Sequence, residues 1–120
     1  MVTLATSGAV KLMAGDQAPE LTAEQYDELI EKAEGFVSTS SRYNWVNNWA
    51  NVSGMVGAGV VQDTVACHAA ISVIQNDRSG FFSRLDAQTG LDILYSKLVD
   101  NINLLRDEKF RTFVIKGEVE

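Results

Sequence analysis

Few residues in this chain are of a type that could do chemistry. His68 is the sole histidine and Cys67 the sole cysteine, and they are neighbours. A nucleophilic cysteine–histidine pair needs both side chains at one site, with the base held by a third group. Val60 to Gln75 reads as a helix, where adjacent positions point in different directions, so no catalytic residue is assigned. One thiol excludes an internal disulfide, and a cysteine-based zinc site needs more ligands; neither a metal nor a cofactor is expected. The acids Glu24, Glu28 and Glu31, and likewise Asp27, Glu31 and Glu34, share faces of an earlier helix. Glycosidase-type chemistry needs two carboxylates in different environments across a cleft, whereas a row on one helix is a solvated face. Gly54, Gly57 and Gly59 invite comparison with phosphate-binding loops. No Gly-Lys-Ser/Thr follows them and their spacing does not fit a dinucleotide fingerprint, so they read as a connection. The chain is expected not to be an enzyme.

The aromatic residues suggest contact instead. Trp45 and Trp49 are four apart, so on a helix they share a face, and two tryptophans in an asparagine-rich segment exceed what a small core needs. Phe81 and Phe82 follow the turn Asn76-Asp77-Arg78-Ser79-Gly80. These four are candidate contacts with another protein or with another copy of the chain. The C-terminal segment, with Phe110, Thr112, Phe113, Val114, Ile115 and Val119, is rich in β-branched and aromatic residues. An extended terminus of that kind can add a strand to a partner's exposed sheet edge.

At 120 residues the chain is expected to be one domain, with 1–20 as an N-terminal segment holding a short helix and 110–120 as an extended tail. It should bury roughly 65% of its unfolded surface, enough for one core. The composition, 46% hydrophobic and 22% charged, is ordinary for a globular domain. The net charge of −6 is uneven: residues 1–40 carry seven acids against two lysines, while residues 41–80 balance. No basic stripe is present to neutralise phosphates, which argues against tight nucleic-acid binding. The charge-free run from Tyr43 to Gln62 is long enough to span a bilayer, but its four asparagines would be costly in hydrocarbon. Neither a signal peptide nor membrane attachment is expected.

The elements that must position these residues are helices. Thr6 or Ser7 can cap a short amphipathic piece that runs to Ala14 and stops at Gly15, with Val10 and Met13 inward. Thr22 and Gln25 fit a capping box, and Leu21 with Tyr26 fits a hydrophobic staple. Tyr26, Leu29, Ile30, Ala33 and Val37 then recur at helical spacing, predicting a helix over 22–37 that ends in Ser38-Thr39-Ser40-Ser41. A short helix bearing the two tryptophans and a glycine-rich break over 53–59 follow. Val60 to Gln75 is apolar nearly all round, which belongs at the centre of a bundle. A last helix starts between Ser83 and Ala87 and reaches about Lys109, with Leu91, Leu94, Tyr95, Leu98, Ile102 and Leu105 as its stripe. The fold class is all-α: a compact bundle of four to five helices, two long and one central and apolar, with an extended C-terminal tail.

The segment Thr6-Ser7-Gly8-Ala9-Val10-Lys11, followed by Leu21 through Val37 (LTAEQYDELIEKAEGFV), resembles the opening of the head–tail connector proteins of long-tailed bacteriophages. The stretches Ala69-Ala70-Ile71 through Phe81, and Ala87 through Lys109, are similar to the same family. The resemblance implies a virion protein at the head–tail interface, made in the host cytoplasm. It implies a closed, twelve-fold ring of copies beneath the portal protein that extends the DNA channel and presents a surface to the next neck or tail-completion protein. It also implies that the C-terminal segment, Phe110 to Val119, reaches the portal. A ring of a dozen chains at −6 each would carry roughly −70, so DNA would slide through without specific binding. The alternative from a different class is a small cytoplasmic helical regulator, or accessory subunit, that binds one protein partner through its tryptophan face.

Overall fold

The structure is a computed structural model that describes residues 4–15, 21–53, 55, 57–76, 84–107 and 110–111. Among the described residues five helices succeed one another: α1 (Ser7–Ala14), α2 (Ala23–Ser41), the single turn α3 (Trp49–Val52), α4 (Ala58–Asn76) and α5 (Arg84–Arg106). Among the described residues there is no strand. The all-α bundle matches the expected fold class, with two long helices around a central apolar one.

Local sequence accounts for the helix starts. Thr6 caps α1, its Oγ1 accepting from the Ala9 N–H at 3.2 Å. At the far end Gly15 takes φ +90°, a conformation that favours glycine, and its N–H donates to the Lys11 carbonyl at 3.0 Å. The capping box of α2 is complete: the Gln25 N–H donates to Thr22 Oγ1 (3.2 Å) and the Thr22 N–H to Gln25 Oε1 (2.9 Å).

The end of α2 departs from expectation. The helix continues through Ser38-Thr39-Ser40-Ser41 and stops at Arg42, whose φ of 61° is the one left-handed value at a non-glycine among the described residues. Two interactions hold the extra turn. Ser41 Oγ donates back to the Val37 carbonyl at 2.7 Å, which satisfies the hydroxyl inside the helix, and Trp45 Nε1 donates to Ser41 Oγ at 2.9 Å. The Arg42 and Tyr43 N–H groups then return to the Thr39 and Ser38 carbonyls (3.3 and 3.1 Å), so the last turn leaves those carbonyls satisfied. The break before α4 is also shorter than expected, because Gly59 belongs to the first turn of α4.

α4 lies at the centre, packed on α5, α2 and α1. Its Val61, Val65, Ala69, Ala70, Val73 and Ile74 are buried on several sides of the helix. α2 contributes Tyr26, Ile30, Ala33 and Val37, α5 contributes Leu91, Leu94, Leu98 and Leu105, and α1 contributes Val10 and Ala14. Each large apolar side chain fully buried here is worth about 1.5–3 kcal/mol, and α4 is the element all the others share.

Candidate functional site

The residues first considered for chemistry diverge in space. Cys67 is buried toward α5, where its Sγ donates to the Leu94 carbonyl at 3.1 Å. Burial pushes its thiol pKa from 9.0 up to about 11, with Lys97 pulling it down and Asp63 pushing it up. The result is a protonated, unreactive thiol at neutral pH. His68 faces α2 instead, its ring stacked on Phe36 with centroids 4.4 Å apart. Burial holds the imidazole below its usual 6.5, and its Nδ1 is enclosed without a hydrogen-bond partner among the described residues. A base with no orienting partner and a thiol aimed at another helix do not form a nucleophilic pair. Among the described residues no group of three or more His, Cys, Asp and Glu side chains is arranged to hold a metal ion, and no helix is long and apolar enough to cross a membrane.

One candidate contact residue moves into the interior. Trp45 is fully buried, its indole N–H used by Ser41 and its ring 4.5 Å from that of Tyr43. The shared tryptophan face does not exist, because Trp45 lies in the turn that precedes α3 while Trp49 begins the helix, half-buried against the core. Spacing of four places residues on one face only where the backbone is helical between them.

Phe110, expected to open an extended tail, is helical with Arg111 and packs half-buried on the core. The reason is a turn made by Asp107. Its Oδ1 accepts from the Phe110 N–H at 3.2 Å and its carbonyl from the Arg111 N–H at 2.9 Å. Arg111 then sits 5.8 Å over the Tyr43 ring. Thr112, Phe113, Val114, Ile115 and Val119, like Phe81 and Phe82, lie outside the described residues.

The acidic row of α2 is also shorter than expected. Glu34, read as part of a solvated face, is only 3% exposed and accepts from the Leu4 N–H at 2.7 Å. Its carboxylate ties the start of the chain to α2, and Leu4 is fully buried beside α1. Nothing periodic in the sequence singles out this contact, since the residues lie thirty apart.

Large hydrophobic side chains stay outside at Leu12 of α1 and Phe36 of α2, and four more do so on α5. Tyr95, assigned to the inward stripe, is instead exposed, and Gln75 Nε2 donates to its hydroxyl. Ile93 is 64% exposed, Val99 56% and Leu104 43%. Tyr95 and Val99, one turn apart, form a ridge on one side of the buried leucines, while Ile93 and Leu104 stand separately on the other, three turns apart. Shallow grooves of about 380 and 400 Å³ run beside these residues, edged by Asp100 and Asp107. A further cleft of about 460 Å³ lies along the C-terminal half of α2, lined by Gly35, Ser38, Thr39, Arg42, Tyr43 and Val46 among others. No protein-family model, curated protein or solved structure matches this chain.

Proposed function

We propose that this chain is a structural adaptor of a tailed-phage neck, a virion protein that docks beneath the portal, encircles the DNA path with copies of itself and receives the next neck protein. It carries out no reaction. The observation that supports the reading most is the outer surface of α5, where Ile93, Tyr95, Val99 and Leu104 stand outside a core that Leu91, Leu94, Leu98 and Leu105 already complete. Exposed apolar residues along one helix gain little from the monomer's own core, and burying them against a partner would be favourable. The aspartates along the same helix favour a partner with matching basic groups.

The step from a contact protein to a phage neck rests on the resemblance of Thr6–Lys11, Leu21–Val37 and Ala87–Lys109 to head–tail connectors. The net charge of −6 is compatible with a conduit through which DNA passes unheld. The segment Thr112 to Val119 is proposed as the portal-reaching element. A regulator docking through paired tryptophans has less to stand on, because Trp45 is enclosed.

The test is to purify the full chain with a tailed-phage portal protein from the same source and image the mixture by electron microscopy. The expected result is a ring on the portal's lower face. Val99→Ser with Ile93→Ser should weaken binding while the helical circular-dichroism signal stays. No association at micromolar concentrations would overturn the reading.

A further inference from the structure

An enclosed hydroxyl lies in the cleft along the C-terminal half of α2. Ser38 Oγ is shut off from solvent and has no hydrogen-bond partner among the described residues. A hydroxyl left in that state is costly, so a polar group from elsewhere belongs beside it. Gly35, Thr39, Tyr43 and Val46 also wall the cleft, and Tyr43 and Val46 are half-buried on the core. The floor is therefore apolar at the Tyr43 end, with hydroxyls set along one side.

The chain itself arrives at this cleft. Beyond α5 the turn at Asp107 leads through Phe110, which packs on the core, to Arg111. The Arg111 guanidinium lies 5.8 Å over the Tyr43 ring, the same ring that walls the cleft. Its Nη2 donates to the Arg106 carbonyl at 3.3 Å, while its Nε is enclosed without a partner among the described residues. The nine residues that follow, Thr112 to Glu120, thus begin on the Tyr43 side of α5, away from its exposed ridge. Extended, they reach about 30 Å, against about 10 Å for α2 between Gly35 and Arg42. Their residue types alternate. Phe113, Ile115 and Val119 fall on one side of an extended chain, and Thr112, Lys116, Glu118 and Glu120 on the other.

We infer that in the free chain the α2 cleft is the seat of the chain's own C-terminal segment. Phe113 and Ile115 cover Tyr43 and Val46, and the main chain of the segment supplies the partner of Ser38 Oγ. The polar side, with Lys116 and the two glutamates, faces water. The occupant is this segment because it is tethered at the rim. A tether this short sets an effective concentration of order millimolar, so a modest contact suffices where a separate partner would need a larger one. The inference goes beyond the adaptor reading and does not rest on it, since it concerns the chain without portal.

The experiment is hydrogen exchange of the full chain, followed residue by residue, with no portal present. Amides of residues 113–116 should exchange about tenfold more slowly than an unstructured peptide of the same sequence. Exchange at the peptide's rate would overturn the seat. Phe113→Ser with Ile115→Ser should remove the protection. So should Thr39→Lys, which puts a charged head into the cleft, at a helix end where a cation is tolerated. Circular dichroism serves as the fold control. Protection unchanged by Thr39→Lys would place the segment elsewhere and overturn the assignment. Position is read directly by disulfide formation in dilute full chain. Thr39→Cys with Ile115→Cys should close about tenfold faster than Val99→Cys with Ile115→Cys, because only the first pair is held together. Equal rates, or a faster second pair, would also overturn it. Portal binding is a separate measurement: its failure would sink the adaptor reading and leave these results untouched.

Discussion

α4 and α5 are both rich in apolar residues, yet they use them differently. In α4 the apolar residues are consumed: Val61, Val65, Ala69, Ala70, Val73 and Ile74 all lie inside because helices cover α4 on several sides. In α5 the inner leucines complete the core and the rest of the apolar set stands outside, with Ile93 the most exposed on that helix at 64%. Apolar content alone does not tell where a residue ends up; the number of neighbours that pack around its helix decides. The difference is that α4 stabilises the fold with nearly all of its apolar residues, whereas α5 leaves part of its apolar set exposed.

The sharpest way to break this contrast is to truncate matched residues. Ile74→Ala in α4 and Leu91→Ala on the inner side of α5 should each cost about 2–5 kcal/mol, read by urea denaturation. If Leu91→Ala were nearly neutral, α5 would be an attachment rather than part of the core. Next in size is the alkaline limb of stability. The Cys67 thiol, held protonated to about 11 in the fold, loses its proton near 9.0 once unfolded. Stability should therefore fall as pH rises from about 9 to about 11, and Cys67→Ala should flatten that fall. A wild-type curve as flat as the variant's would mean the thiol is not enclosed between α4 and α5.

Gly35→Ala, on the solvent side of α2, should raise monomer stability by about 1 kcal/mol, since nothing opposes the added methyl. A smaller effect is expected at His68, the edge of α4 that meets Phe36. Its imidazole is held below 6.5 by burial, so the unfolded chain takes up a proton first as the solution is acidified. Stability should decline as pH falls through 6.5 and level off below the folded value, and His68→Gln should remove that part of the decline in melting temperature. Smallest of all, Ile93→Ser and Val99→Ser should change stability by within about 0.5 kcal/mol. A large loss there would show that α5's outer residues belong to the core after all.

Much of this was legible in the residues. Thr6, Thr22 and Gln25 announce helix starts because a cap is a contact across three positions, and the periodicity of Tyr26, Ile30, Ala33 and Val37 announces a buried face. Where the reading failed, the missing information was a distant partner. Ser38 to Ser41 look like a helix stop until Ser41 is seen bonded to Val37 and Trp45. Trp45 looks like a contact residue until the turn at 45–48 sends it inward. Phe110 looks like the start of a tail until its N–H is seen bonded to Asp107 and its side chain packed on the core.

By itself the sequence determined that this chain is a set of helices, that α4 is the most enclosed of them, and that its acids crowd the first half of α2. Caps, spacing and composition act over a few residues, so they can be read without knowing what lies across the bundle. Only the tertiary structure decided that Glu34 is buried against Leu4, that Trp45 is core and that Ile93 and Val99 are surface. Burial is set by which elements approach a side chain, and that approach is made by residues tens of positions away.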